Sequence, residues 1–437
     1  MFANHEISYW YRLNQHQRNN ILLRPNIIAS DDLKTRIKLI LDEIRRCGDN
    51  AIFKYTKIFD KIDLKTITVS QDRINNSEFI ISDSLKHAIL IAKKNIQFFH
   101  NKQKINSIDV YTQVGVRCQQ VFTPIQSVGL YVPGGSAPLL STALMLSIPA
   151  IIAGCKNIIL CSPPPISNEI LYIAKLCNIH HVFEVGGAQA IAALGFGTQT
   201  IPKVNKIFGP GNLYVTEAKI QLTQLLPGLA IDMIAGPSEL LIIIDKTANP
   251  AFVAADVLSQ SEHGVDSQVI IVSDNINILQ KVLLHINQQV SSLSRKNIIL
   301  KSLKNHQFIL TKDLSECIQI SNMYAPEHLI IQTKYPRKLI HGITNAGSIF
   351  LGPWSPESVG DYASGTNHVL PTNGYAVAAS GLGIIDFQKK MTIQELTPFG
   401  LKNIAKVVQT LAFSEKMDAH AHAVTVRCNA MKDKYGK

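Results

Sequence analysis

The chain has 437 residues, 46% apolar and 17% charged, which excludes a disordered polymer and leaves room for a large core without disulfide staples. Lys and Arg outnumber Asp and Glu by 43 to 32, a formal charge of +11, but the basic residues come singly or in pairs such as Arg45–Arg46, Lys93–Lys94 and Lys389–Lys390, without the clustering that marks a nucleic-acid footprint. No stretch reaches the roughly 18 uninterrupted apolar residues of a membrane span, and the opening MFANHEISYW lacks a basic segment followed by an apolar one, so the expectation is a cytoplasmic protein with no nucleic-acid or membrane partner.

Residues 1–24 are polar with a few aromatics and read as an N-terminal arm. Over 31–60 and 82–104 the pattern is helical, with Leu33, Ile37, Ile40, Leu41 and Ile44 recurring at three- and four-residue spacing. From about 127 short apolar runs end in Gly/Pro turns: VGLYVPGG (128–135), NIILCSPPP (157–165), HVFEVGG (181–187) and KIFGPGN (206–212), with helix-like segments 138–153 and 188–195 between them. Buried strands alternating with helices predict a parallel sheet. ELLIIID (239–245), QVIIVS (268–273), HLIIQT (328–333) and SIFLG (348–352) repeat the pattern. The expected fold is therefore α/β, with two Rossmann-like parallel-sheet domains. One covers 131–237; the other is discontinuous, joining 25–130 to 238–382. After about 383 the strand signals stop, and 383–437 reads as a helical segment that leaves the core for a partner subunit. In open parallel sheets ligands sit beyond the carboxyl ends of the strands, where these Gly/Pro turns fall. GPGNLY (209–214) lacks the third glycine of the dinucleotide fingerprint, so a standard Rossmann cofactor site is not predicted.

The cysteines, Cys47, Cys118, Cys155, Cys161, Cys177, Cys317 and Cys428, are odd in number and form no C-x-x-C pair, which argues against a disulfide framework or a cysteine zinc site. They read as reduced thiols or as containing one nucleophile; the apolar runs around Cys155 and Cys161 would raise a thiol pKa and dull its reactivity. In 247–264 a helix is capped by Asn249 and Pro250 and ended by Gly264. Asp256, Gln260 and His263 fall on one stripe of it, either a solvated polar face or donors to one ion. In MYAPEHLIIQ (323–332) Glu327 stands beside His328 just before a strand, either as two proton-transfer groups that divide acid and base work or as a loop pair with no role. The polar, aperiodic segment 354–372 holds Asp361 and His368 and reads as a functional loop or an ordinary surface one. In 414–427 Glu415, His420 and His422 lie on a helix where the two imidazoles point about 200° apart, so only one can join a given site. A carboxylate, two imidazoles and an amide oxygen suit zinc.

Together these residues resemble the histidinol dehydrogenase family. The resemblance rests on VGLYVPGG, GGAQAIAALGFGT (186–198), IFGPGN, DMIAGPSELLI (232–242), VLSQSEHG (257–264), YAPEHL (324–329), GDYASGTNHVLPT (360–372) and DAHAHAVTVR (418–427), which run from about 128 to 427. It implies a zinc-dependent homodimer that oxidises L-histidinol through L-histidinaldehyde to L-histidine with two NAD+, the last step of histidine biosynthesis. The implied Zn2+ ligands are Gln260, His263, Asp361 and His420, the last from the other subunit, while Asp256 is not among them. Glu327 and His328 are the implied acid/base residues. Implied substrate contacts are Ser238, His368 and Glu415 together with Gln260, His263, Glu327, His328, Asp361 and His420. Implied NAD contacts are Tyr131, Gln189 and Asn212, in three of the Gly/Pro turns. The scheme needs no thiol. A zinc hydrolase with Glu327 as base, a nucleic-acid-binding α/β protein and a relative oxidising another alcohol are the competing readings.

Overall fold

In the computed structural model of the chain, residues 6–25, 29–134, 138–233 and 236–435 are described. The first five residues of the expected arm, Gly135 of the first Gly/Pro turn and Ile234–Ala235 lie outside them. The strands among the described residues are β1 (Ile7–Tyr9), β2 (Ile108–Gln113), β3 (Val116–Pro124), β4 (Ser127–Tyr131), β5 (Asn157–Ser162), β6 (His181–Glu184), β7 (Lys206–Phe208), β8 (Ala230–Ile231), β9 (Glu239–Ile244), β10 (Gln268–Ser273), β11 (Gln307–Leu310), β12 (His328–Gln332), β13 (Ser348–Leu351) and β14 (Gln388–Leu396). The chain divides into two compact units, one of residues 1–103 and 125–387 and the other of 104–124 and 388–437.

The first unit holds two wholly parallel sheets, as the alternating strand–helix pattern predicts. One runs β6-β5-β4-β7-β8 and the other β1-β11-β10-β9-β12-β13. Each winds outward from its middle, so strand order reverses between β4 and β7 in the first and between β9 and β12 in the second. Both faces of the six-stranded sheet are covered. Leu240, Ile242 and Ile244 of β9 meet Val253, Val257, Leu279 and Val282 on one side, and Leu241 and Ile243 meet Cys317, Ile320 and Tyr324 on the other. That is why ELLIII and QVIIVS are apolar runs without alternation.

Helix Asp31–Cys47 forms as expected. Ser30 caps it by accepting the Leu33 N–H, Asp31 and Asp32 occupy its first turn, and Arg45 and Arg46 its last. Its stripe Ile37, Ile40, Leu41 and Ile44 is fully buried, at about 1.5–3 kcal/mol per side chain. Contrary to the expected discontinuous domain, that stripe joins one core with Ile159, Ile191 and Leu222 of the five-stranded sheet's layers. Ile74, Ile89 and Ile96 likewise pack with Val128 and Leu130. The faces of the six-stranded sheet are filled by its own crossover helices and, on one side, by Trp10, Leu13, Ile21 and Leu22 of the N-terminal arm.

Two further expectations are corrected. Part of the arm is β1, a three-residue edge strand registered on Phe308–Leu310, too short to show a period. Residues 388–396, expected to be helical, are β14, which pairs antiparallel with β3, itself paired with β2, in the second unit. Its sequence QKKMTIQEL is exposed along almost its whole length, so it carries no buried run to betray a strand. Helices Pro398–Ser414 and Asp418–Tyr435 complete that unit. No described helix is long and apolar enough to cross a membrane.

Candidate active site

In the six-stranded sheet the candidate residues gather where strand order reverses, but at the amino ends of β9 and β12. The expectation of carboxyl ends fails here because Glu327 and His328 enter β12 and Ser238 precedes β9. The backbone of one residue aligns the pair. The Glu239 N–H donates to Glu327 Oε2 at 2.8 Å, and His328 Nδ1 lies 3.3 Å from the Glu239 carbonyl. A carbonyl only accepts, so Nδ1 carries a proton in either charge state, and Nε2 is the nitrogen left to react once the imidazole is neutral. Glu239 is in turn fixed by Arg24, whose Nε lies 2.6 Å from Oε1 while its guanidinium stacks 4.0 Å over the Tyr324 ring.

Carboxylates surround His328. Nδ1 is 3.6 Å from both Glu327 Oε2 and Glu357 Oε1, and Nε2 is 3.7 Å from Asp361 Oδ1. Burial opposes charge on the imidazole, but Glu357, Glu327 and Asp361 outweigh it and hold its pKa well above the ordinary value. Burial pushes the Glu357 carboxyl well up, since neither of its oxygens has a hydrogen bond. Asp361, also desolvated, is held below the usual range by His328.

His263, Glu357 and Asp361 each bring a ligand atom within 4.8 Å of the others. Gln260, on the last turn of helix Pro250–Ser261, is fully buried with both amide atoms lacking a hydrogen bond. Buried orphan polar atoms cost free energy and call for a partner. An imidazole and two carboxylates converging in this way, with a buried unpartnered amide three residues before the imidazole, suit a divalent cation such as zinc. Ser238 Oγ lies 3.2 Å from His263 Nδ1. His368 joins the site through Nδ1 to the Asp361 carbonyl at 2.9 Å, with Nε2 3.2 Å from Thr142 Oγ1; burial keeps its pKa low.

Glu357 was not among the candidates. It stands four residues before Asp361 on the short helix Glu357–Tyr362, so the two share a face. That spacing was the available signal, masked because 354–372 reads as an aperiodic loop. Thr142 and the Glu239 backbone were missed too, the second because a backbone contact leaves no mark in side-chain types.

Asp256, on the same helix as Gln260, accepts a hydrogen bond from Gln332 Nε2 through Oδ2 at 3.2 Å. Burial pushes its carboxyl up to about 7, against the pull of Gln332. A folded-state value raised above the unfolded one gives stability that is fully present below about pH 4 and lost as pH rises through about 7. A rise from 3.8 to about 7 corresponds to about 4 kcal/mol. Asp256→Asn removes that titration, so it should gain a few kcal/mol on the parent between pH 5 and pH 8 in urea melts; a constant difference would contradict the assignment.

The cofactor candidates gather at the carboxyl ends of the five-stranded sheet, as expected, around its own reversal point. Tyr131 ends β4, and its hydroxyl accepts the Gly187 N–H at 3.0 Å. A Cβ at Gly187 would meet Gln189 Oε1, and one at Gly209, where φ is +123°, would collide with the Tyr131 carbonyl. Asn212 caps helix Leu213–Leu225. Segment 366–373 connects the sheets: His368 meets Thr142 beyond β4, and the Asn373 N–H bonds Glu239 Oε1 at 2.7 Å. Glu415, at the end of helix Pro398–Ser414, and His420 and His422, on Asp418–Tyr435, belong to the second unit and are exposed. The thiols of Cys155, Cys177 and Cys317 are pushed up by burial to about 12, 11 and 12, and that of Cys161 further, so none is poised as a nucleophile.

An acid–base pair beside a cation-type donor group, next to a second parallel sheet with an open turn cluster, defines a two-sheet α/β enzyme. The histidinol dehydrogenase family model matches residues 24–428. The chain is 56% identical over 428 residues to the histidinol dehydrogenase of Buchnera aphidicola subsp. Acyrthosiphon pisum, covering 98% of each. It is 54% identical over 424 residues to that of Escherichia coli K12, covering 97% of this chain and 98% of the other. The crystal structure of histidinol dehydrogenase from Elizabethkingia anophelis superposes with a TM-score of 0.95 at 46% identity, covering 98% of this chain and all of that one. The chain belongs to the histidinol dehydrogenase family, and so is an NAD-dependent oxidoreductase of histidine biosynthesis rather than a hydrolase.

Proposed function

We propose that the chain is a zinc-dependent L-histidinol dehydrogenase that takes L-histidinol through L-histidinaldehyde to L-histidine with two NAD+, the final step of histidine biosynthesis, as a cytoplasmic homodimer. The observation that carries this reading is the Glu239 backbone, whose N–H donates to the Glu327 carboxylate and whose carbonyl faces Nδ1 of the adjacent His328. His328 Nε2 takes the carbinol hydroxyl proton as hydride leaves carbon for NAD+. Glu327 then takes a proton from water as its oxygen adds to the aldehyde, and the former carbonyl oxygen takes up a proton from solvent, giving the gem-diol. His328 Nε2 deprotonates the gem-diol as a second hydride leaves for a second NAD+. Each imidazole proton must pass to solvent between steps, which suits histidine.

Gln260, His263, Asp361 and the partner subunit's His420 would hold zinc; the hydrogen-bond-free amide of Gln260 and carboxylate of Glu357 support a cation there. When bound, zinc would supply a template that orients the substrate and would neutralise carboxylates that otherwise charge His328. Ser238, His368 and Glu415 complete the substrate contacts. Tyr131, Gln189 and Asn212 receive NAD+, at turns supported by the close approach of Gly187 and Gly209 to Tyr131. Product analysis after exhaustive turnover tests the reading: histidine is expected, and accumulation of histidinaldehyde would overturn it.

A further inference from the structure

One buried ion pair serves neither the acid–base pair nor the cation donors. Lys219, on helix Leu213–Leu225, and Asp232, just after β8, have side chains 3% and 1% exposed, with Nζ 2.7 Å from Oδ1. Such a pair adds little net stability, because desolvating two charges offsets most of their attraction. Its remaining bonds converge on one residue. Asp232 Oδ2 accepts the Gly209 N–H at 2.7 Å, and Lys219 Nζ donates to the Gly209 carbonyl at 2.5 Å. Gly209 opens the turn that leads from β7 to Asn212, and it has no room for a side chain because the Tyr131 carbonyl stands against it. Both main-chain polar groups of the residue between the two are therefore held by charged partners. These come from the second turn of the following helix and from the residue just after β8.

We infer that Lys219 and Asp232 are positioning residues for the cofactor, holding the Gly209–Asn212 turn in the shape that receives NAD+. A turn kept in its binding shape avoids the ordering cost on association. The inference rests on the reading of Tyr131 and Asn212 as cofactor contacts, and it goes beyond that reading by assigning two residues that touch no ligand.

The double variant Lys219→Met/Asp232→Leu removes both charges together, so no unpaired buried charge remains to unfold the protein. Fluorescence titration with NADH and steady-state kinetics with NAD+ are expected to show Kd and KM raised at least about 10-fold. At saturating NAD+, kcat, the KM for histidinol and bound zinc should stay within about two-fold, since preorganisation acts on binding. A fall in Tm with unchanged NADH affinity would overturn the inference and leave the pair a structural one. If the double variant does not fold, Lys219→Arg decides. Its larger planar head does not fit the buried space that the compact ammonium fills between the Gly209 carbonyl and Asp232 and must shift the turn, so weakened NADH binding supports the inference and unchanged binding overturns it. Asn212→Ala separates the two readings. Weaker NADH binding in Asn212→Ala alone sinks only the positioning role, whereas no change in either variant sinks the cofactor site as well.

Discussion

Glu327→Gln is expected to slow oxidation of histidinaldehyde by about 10^2–10^4-fold, the usual range for a lost general base, while oxidation of histidinol falls far less. The amide keeps an oxygen that can accept the Glu239 N–H, now made by Glu327 Oε2 at 2.8 Å, so the strand entrance stays in place. What disappears is the carboxylate that accepts a proton from water. The first hydride transfer needs only His328, whose Nδ1 remains tied to the Glu239 carbonyl. Rates measured separately with histidinol and histidinaldehyde check this, and an equal loss in both would overturn the division of labour between the two side chains.

His420→Asn is expected to lower zinc affinity by at least about 100-fold, more than the 10–100-fold typical of changes outside the ligand shell. His420 lies on helix Asp418–Tyr435 of the second unit and is exposed on its own chain, a suitable place for a ligand delivered to another subunit. Coexpressing His420→Asn with Glu327→Gln should then restore activity. In a mixed dimer one site has an intact acid–base pair and receives an intact histidine, while the other has neither. Random pairing gives half mixed dimers, so about a quarter of parental activity is expected for an isologous dimer. Activity no higher than that of the two variants alone, in dimers shown to be mixed, would contradict a shared site.

Much of this was legible in sequence, and the rest was hidden for identifiable reasons. Strands buried on both faces, such as β9 and β10, declare themselves as unbroken apolar runs, and the turns after β4, β6 and β7 by their Gly and Pro. The pair Glu327–His328 and the stripe Gln260–His263 were visible as residue types at useful spacing. β1, β2, β3 and β14 were not, because short edge strands and exposed hairpins bury too little to impose a period. The placement of the N-terminal helices was also hidden: an apolar stripe such as Ile37–Ile44 says that a helix packs, not on which sheet. At the site, Glu357 was passed over inside a segment without periodicity, and the tautomer of His328 depends on a carbonyl that every residue possesses. Asp256 shows the converse. It lay on the right stripe, but one of its carboxylate oxygens is taken by a hydrogen bond from Gln332.

Counting NADH formed per histidinol tests the central claim most directly, with zinc present, after chelation and after zinc is returned. Two NADH per histidinol are expected, none from the chelated protein, and two again once zinc is restored. A single NADH per histidinol, or an undiminished yield from the metal-free protein, would contradict a zinc-templated site in which one acid–base pair carries out both oxidations.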